Sequence, residues 1–413
     1  MYRPHTHCRS CGYGKAGANG IKAAPADKLL EAFDLGVQPL ANDFCKADQP
    51  RAGYAPLKVM FCPRCTLAQL SVVVDPAIMY LHYAYVTSKS DMMKRHFAEL
   101  WASIEEERHP KSVLEIGSND GDFLRFIKAK DNPVVFGIDP AANLTCESST
   151  NGIPTCCGLF NTQTAGQLGS AYDCIIARHV FCHIDDWQDF IQACEMVSDE
   201  NTLIVIEAPY VGNTLANCEF DQVYHEHLSF ISFKAMEALL KPTSFQIVNI
   251  QHYDIHGGTC AFFLRKKSTE FANARVVRNF MDNENITIDD WKAFGIRARD
   301  QINRLSATVR TLRAQGKCVA GLGASAKSTV WVNACGFTRN DVEFIADNTP
   351  QKQLTTSPGS DIPIVDEGAI LRELPDYVVM WCWNFRSEVL EKFALARQKG
   401  LKFIVPVPKI EIV

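Results

Sequence analysis

The clearest hydrophobic pattern in the chain begins just after residue 90. Met93, Phe97, Leu100, Trp101 and Ile104 recur at intervals of three and four, which predicts an amphipathic helix starting at Asp91. The apolar run Ser112-Val-Leu-Glu-Ile116 then breaks into Gly117-Ser-Asn-Asp-Gly121, as a buried strand entering a glycine turn would. Apolar runs at 134–138, 173–177 and 202–207 predict further strands separated by helix-length segments, the alternation of a doubly wound parallel sheet. A second cycle opens at Thr287, where Asp289 and Asp290 mark the first turn of a helix carried on by Trp291, Phe294, Ile302, Leu305, Val309 and Leu312. Cys318-Val-Ala-Gly321 leads into Gly321-Leu-Gly323-Ala-Ser-Ala-Lys327-Ser328, and runs at 342–346, 377–381 and 403–407 predict a smaller parallel sheet. The expected fold is α/β in three parts: a small module over 1–75, a doubly wound Rossmann-like domain over 76–270, and a connector helix with a second Rossmann-like domain over 271–413.

Composition narrows the function. At 413 residues the chain exceeds what one core usually organises. With 47% hydrophobic and 22% charged residues it is expected to fold throughout. A formal charge of -5 and the lack of a Lys/Arg block exclude a nucleic-acid partner. Residues 1–10 are polar and no run reaches membrane-spanning length, so a cytoplasmic protein with no membrane partner is expected. In that reducing compartment the 16 cysteines serve as metal ligands or small packing groups. Cys8 with Cys11 and Cys62 with Cys65 form two CxxC pairs, four soft ligands suited to a structural zinc ion that closes the N-terminal module. Cys156, Cys157, Cys174 and Cys182 lie in apolar runs and read as packing residues.

The glycine turn reads as a nucleoside site. Asp139 ends the second strand roughly twenty residues after the turn, where a carboxylate can accept hydrogen bonds from ribose hydroxyls. Gly117 and Gly121 allow close backbone approach, with Asn119 between them. Glu115 and Asp120 bring negative charge, which suits the sulfonium of S-adenosylmethionine better than a pyrophosphate. Neither a P-loop nor a full GxGxxG occurs, and in the C-terminal domain Ala326 stands where a third fingerprint glycine would be.

The segment Tyr224-His225-Glu226-His227 concentrates groups for general acid–base chemistry. On an extended backbone Tyr224 and Glu226 would face one way and His225 and His227 the other, a constraint that a turn relaxes. His183 follows the run at 173–177, at the carboxyl edge where parallel sheets bind ligands. Glu207 and Tyr210 end another strand near the same edge, and Tyr83 and Tyr85 precede Thr87-Ser88 in a polar aromatic segment able to cover it.

Together the paired CxxC, Glu115-Ile-Gly-Ser-Asn-Asp-Gly121, His179-Val-Phe-Cys-His183, Tyr224-His-Glu-His-Leu-Ser229, His256-Gly-Gly258 and Phe403-Ile-Val-Pro-Val-Pro408 resemble the zinc-containing sugar C-methyltransferases over essentially the whole chain. The resemblance implies S-adenosylmethionine-dependent methylation of carbon 3 in a nucleotide-linked 4-keto-6-deoxyhexose through an enolate. Thymidine diphosphate is the handle expected, with guanosine diphosphate as the alternative. It implies His227 as base, Tyr224 as the enolate-side partner, Glu226 in the proton relay, and His183 and Tyr85 as further site residues. Phe160 and Asn161 would cover the adenine, while His225, Lys327 and the amide of Gly323 would contact substrate. Nothing in the sequence specifies an oligomer, and a monomer is expected. The competing readings are O- or N-methylation of another metabolite, and an inactive nucleotide-binding fold whose zinc organises an interaction surface.

Overall fold

A computed structural model describes residues 1–15, 28–46, 48–80, 91–169, 171–267 and 274–413. Its centre is a seven-stranded sheet in the order Thr155–Cys157, Val134–Asp139, Ser112–Ile116, Cys174–Arg178, Leu203–Pro209, Thr259–Lys266, Phe245–Tyr253. The first five strands are mutually parallel, and Thr259–Lys266 runs antiparallel to both its neighbours. These strands are apolar on both faces because helices cover both. Leu114, Ile116, Ile175, Ile204 and Ile206 enter one core, and Val113, Cys174, Ile176, Leu203 and Val205 enter the other, the period-two alternation of pleated strands. The expected helix spans Asp91–Glu107 and buries Met93, Phe97, Leu100, Trp101 and Ile104 in the second core. Chain order reverses between Ser112–Ile116 and Cys174–Arg178, which opens a ligand crevice at their carboxyl ends.

In the N-terminal module Leu30–Pro39, Tyr54–Phe61 and Ala68–Leu70 form an antiparallel sheet, completed by Ser229–Phe230 from the central part of the chain. The C-terminal sheet runs Ile364–Asp366, Ile345–Asp347, Val319–Leu322, Tyr377–Met380, Lys402–Val405, Glu411–Ile412, parallel except for the last pair. The helix Ile288–Ala314 starts with a capping box in which Thr287 and Asp290 satisfy each other's backbone N–H groups. Its Trp291 and Phe294 enter a core that also holds Phe33 and Val59 of the module, Phe220 and Phe230 of the central part, and Trp331 and Trp381 of the C-terminal sheet. Shared burial therefore fixes the three sheets against one another. Among the described residues no helix is long and apolar enough to cross a membrane.

Candidate functional site

The two CxxC pairs converge. All four sulfurs lie within 4.8 Å of one another, Cys8 Sγ 3.4 Å from Cys65 Sγ and Cys11 Sγ 3.7 Å from Cys62 Sγ. Zinc–thiolate bonds of about 2.3 Å in a tetrahedron require sulfurs about 3.8 Å apart, so the cluster fits a structural zinc ion with no open coordination position. Each pair sits on a short hydrogen-bonded loop, Gly12 N–H donating to the Cys8 carbonyl and Thr66 N–H to that of Cys62. Arg9, a buried residue of the first pair's loop, donates to Asp185 at 3.1 and 3.2 Å and ties the knot to the segment between His183 and Trp187 of the central part.

At the crevice, Gly117, Asn119 and Gly121 all have left-handed φ, 69°, 54° and 76°. A Cβ on Gly121 would lie 2.4 Å from Ser148 Oγ, so the turn requires glycine there. Asp139 fixes the turn by accepting the N–H groups of Asn119 (2.9 Å) and Ala141 (2.8 Å). Glu115 Oε1 takes two contacts from Arg178, Nε at 2.9 Å and Nη2 at 2.8 Å, and that guanidinium lies over the rings of both Phe97 and Phe123. Burial pushes Glu115 up to about 7 against the pull of Arg178. Glu115 is thus a paired group, which corrects the expectation that it adds a net negative charge beside a sulfonium. Buried oxygens without hydrogen-bond partners, Asp120 Oδ1 and Glu115 Oε2, suit a ligand carrying ammonium and hydroxyl donors, as S-adenosylmethionine does. Phe160 is buried against Phe190, and Asn161 caps the following helix by accepting Thr164 N–H at 2.9 Å.

The Tyr224 to His227 segment is a turn, not a strand. Tyr224 and His227 are thereby brought together, with Tyr224 Oη 2.6 Å from His227 Nε2, while His227 Nδ1 lies 2.8 Å from the Gln222 carbonyl. A carbonyl only accepts, so Nδ1 carries the proton and Nε2 is the acceptor of the tyrosine hydroxyl. Burial, then the neighbouring His183, hold His227 well below the usual histidine range, so it is neutral, with Nε2 as its unprotonated nitrogen. The rings of His183 and His227 are 5.2 Å apart, and Tyr80 stacks on His183 at 5.9 Å. Burial alone lowers His183 to about 4. Glu226 accepts from Asn42 Nδ2 of the N-terminal module at 2.7 Å. His225 turns away from this group to the Ala55 carbonyl, 3.1 Å from Nε2.

Several groups around this site, His96, Glu219, Asp221 and Gln222 among them, were not singled out by the sequence, whereas Glu207 and Lys327 were. Glu207, fully buried, lies 2.5 Å from His96 Nε2 and 3.8 Å from His179 Nε2, and the His179 ring meets that of His256 at 4.8 Å. Gln222 Nε2 donates to the His256 carbonyl at 2.8 Å, while a Cβ on Gly257 would strike Glu219. Asp221 accepts two indole N–H groups of the C-terminal domain, from Trp331 at 3.1 Å and Trp383 at 2.7 Å. Lys327 Nζ lies 4.2 Å over the Trp383 ring, buried and without a hydrogen-bond partner, where its charge opposes the burial that raises Glu219 to about 7. Two sequence candidates have other partners, and a third cannot be placed. Gly323 donates its N–H to the Ala346 carbonyl and the next two amides donate to Asp347 and Ser328, so this turn offers no free N–H at those positions. Tyr210 donates to Glu284 at 3.0 Å and stacks on Phe233. Tyr85 lies outside the described residues.

Comparison with known proteins places three domain families along the chain: a zinc binding domain over 25–80, a methyltransferase domain over 88–250 and a C-methyltransferase C-terminal domain over 254–408. The chain is 28% identical to the C-methyltransferase NovU of Streptomyces niveus, over 100% of this chain and 98% of that protein. Solved structures similar to part of it include an S-adenosylmethionine-dependent methyltransferase from Geobacter sulfurreducens in complex with S-adenosyl-L-homocysteine, with 12% identity, TM-score 0.34, 42% of this chain and 91% of that one. Another is the plantazolicin methyltransferase BpumL in complex with a triazolic analogue and the same product, with 14% identity, TM-score 0.33, 42% of this chain and 83% of that one.

Proposed function

We propose that this chain, an S-adenosylmethionine-dependent C-methyltransferase with a structural zinc site, methylates carbon 3 of a nucleotide-linked 4-keto-6-deoxyhexose through an enolate. Thymidine diphosphate is the proposed handle, and the proposed setting is the cytoplasm, with the chain acting as a monomer. The proposed units are 1–75, 76–270 and 271–413.

Carbon is a poor nucleophile until a proton beside a carbonyl is removed, so the pocket must take a proton and bear the oxyanion that results. His227 is the proposed base. The observation that carries this reading is the Tyr224 to His227 bond of 2.6 Å inside a buried turn, with the imidazole tautomer set by the Gln222 carbonyl. When substrate enters, Nε2 accepts the carbon-bound proton and the Tyr224 hydroxyl, released from that bond, donates to the enolate oxygen. Glu226 and His183 flank the pair, and the proposal keeps them as relay and orienting groups, with Tyr85 as part of the cover. Lys327 is the substrate-side cation of the proposal, and His225 and Gly323 have lesser parts because His225 Nε2 and the Gly323 N–H are already bonded. The residues that would hold S-adenosylmethionine are Glu115, Gly117, Asn119, Asp120, Gly121 and Asp139, with Phe160 and Asn161 over the adenine. The bound cofactor supplies an electrophilic methyl group to the carbon from which the proton has left.

The test is solvent exchange. Incubated in deuterium oxide with thymidine-diphosphate-linked 4-keto-6-deoxyhexose, the enzyme should introduce deuterium next to the carbonyl. With cofactor added it should give a carbon-bound methyl by NMR. A product methylated only on oxygen or nitrogen, with no exchange, would reject the enolate.

A further inference from the structure

Cys182, His183 and His227 lie together, one donor atom of each within 4.8 Å of the other two. Cys182 is 2% exposed and its residue neighbour His183 has its ring against that of His227. The geometry points to a second metal site, distinct from the four-thiolate knot: a three-ligand Cys-His-His set for a thiophilic divalent cation, with its fourth position open toward the substrate pocket.

Two observations converge on it. The set is chemically apt, since one thiolate and two imidazoles around an open position is a soft, zinc-type arrangement. The second shell is already in place. A coordinating histidine normally donates its other ring N–H to a carbonyl, and His227 Nδ1 does so to Gln222, leaving Nε2 as the metal-facing atom. Tetrahedral zinc needs donors about 3.4 to 3.6 Å apart, so closing the set takes about 1 Å of movement, within reach of side-chain rotation. Binding replaces the Cys182 thiol proton, which leaves to solvent, and breaks the Tyr224 to His227 hydrogen bond. The site therefore competes with catalysis, a consequence that rests on His227 being the base.

Metal counting on the full chain tests the site. Protein with its zinc knot filled is equilibrated with excess Zn²⁺, passed over a desalting column and analysed for zinc. Two ions per chain are expected for the wild type and one for both Cys182→Ala and His183→Ala, with circular dichroism and melting confirming that each variant is folded. Cobalt titrated into the zinc-loaded protein should add a thiolate charge-transfer band that Cys182→Ala abolishes. A wild-type count of one, or a second ion retained in both variants, would overturn the proposal. No substrate enters these measurements, so they stand apart from the enolate reading. That reading fails separately if the second site is full and methyl transfer is undiminished.

Discussion

Replacing Tyr224 by phenylalanine removes a single oxygen, and the geometry sets what should follow. His227 is 8% exposed, and its Nε2 accepts only the Tyr224 hydroxyl among the bonds described for that atom. Without that donor a buried acceptor is left unpaired at a stability cost of about 1–3 kcal/mol, unless water takes the hydroxyl's place. The kinetic effect should be larger than the structural one. A positioned acid–base partner contributes about 10²–10⁴ in rate, so turnover should fall by at least about 100-fold, equivalent to about 2.7 kcal/mol of barrier. Cofactor affinity should hardly change, because Gly117 to Gly121 and Asp139 lie on other strand ends with their own hydrogen bonds. Steady-state transfer of labelled methyl groups, with calorimetry of S-adenosylmethionine binding, measures both quantities. Wild-type turnover, or a loss of cofactor binding that matches the loss of rate, would refute the assignment of this pair to the chemical step.

Other perturbations probe other parts. The protein as isolated should carry about one zinc ion, and Cys8→Ala or Cys62→Ala should lose it together with stability, as elemental analysis and thermal melting will report; metal-free native protein would reject the knot. Gly121→Ala should weaken cofactor binding and destabilise the fold by about 1–3 kcal/mol, because its φ of 76° is left-handed and its new Cβ meets Ser148, and calorimetry showing unchanged affinity would count against the turn as the cofactor site. Acid should destabilise the protein. His5 and His256 at about 3 and His183 and His225 at about 4 stay neutral in the fold, whereas the unfolded chain protonates below about 6.5, so their contribution is lost as pH falls. Glu115 and Glu219, raised to about 7, act in the opposite sense over the range from about 7 down to 4.5, and Asp43, Asp139, Asp221 and Glu284 are also raised by burial, but His7, His179 and His227 are lowered as well and add to the histidine side. The melting temperature should drop between pH 6.5 and 4.5, and a flat or rising curve there would contradict the burial of these imidazoles.

Local chemistry was legible in the sequence where it was written in adjacent residues. Cys8 to Cys11, the Gly117 to Gly121 turn, Asp139 and the Tyr224 to His227 run could be singled out because spacing and backbone type fix what each can do. Partnerships between distant residues were not. Arg178 neutralises Glu115 across 63 positions, and Glu207 meets His96 across 111; nothing in either segment signals its partner. Asp221 likewise reads as an ordinary loop acid until Trp331 and Trp383 are folded onto it. The extended alternation considered for residues 224–227 gave way to a turn, which is why Tyr224 joins His227 and His225 faces the opposite wall. The short strand Ser229–Phe230 carries no periodicity of its own, since two residues cannot, and is defined only by its pairing with the N-terminal sheet.

That last pairing has a practical consequence. The reactive turn is held from behind by Ala55 and Asn42, and two residues later its backbone is stitched to Ala68 and Gln69, only a few positions beyond the second thiol pair. Stripping the ion should therefore silence the enzyme at temperatures where the large sheet is still intact, because the proposed Tyr224 to His227 dyad depends on a scaffold that the central domain does not itself contain. Transplanting that domain alone into another protein would carry over the Tyr224 to His227 turn without the N-terminal strands that hold it in shape.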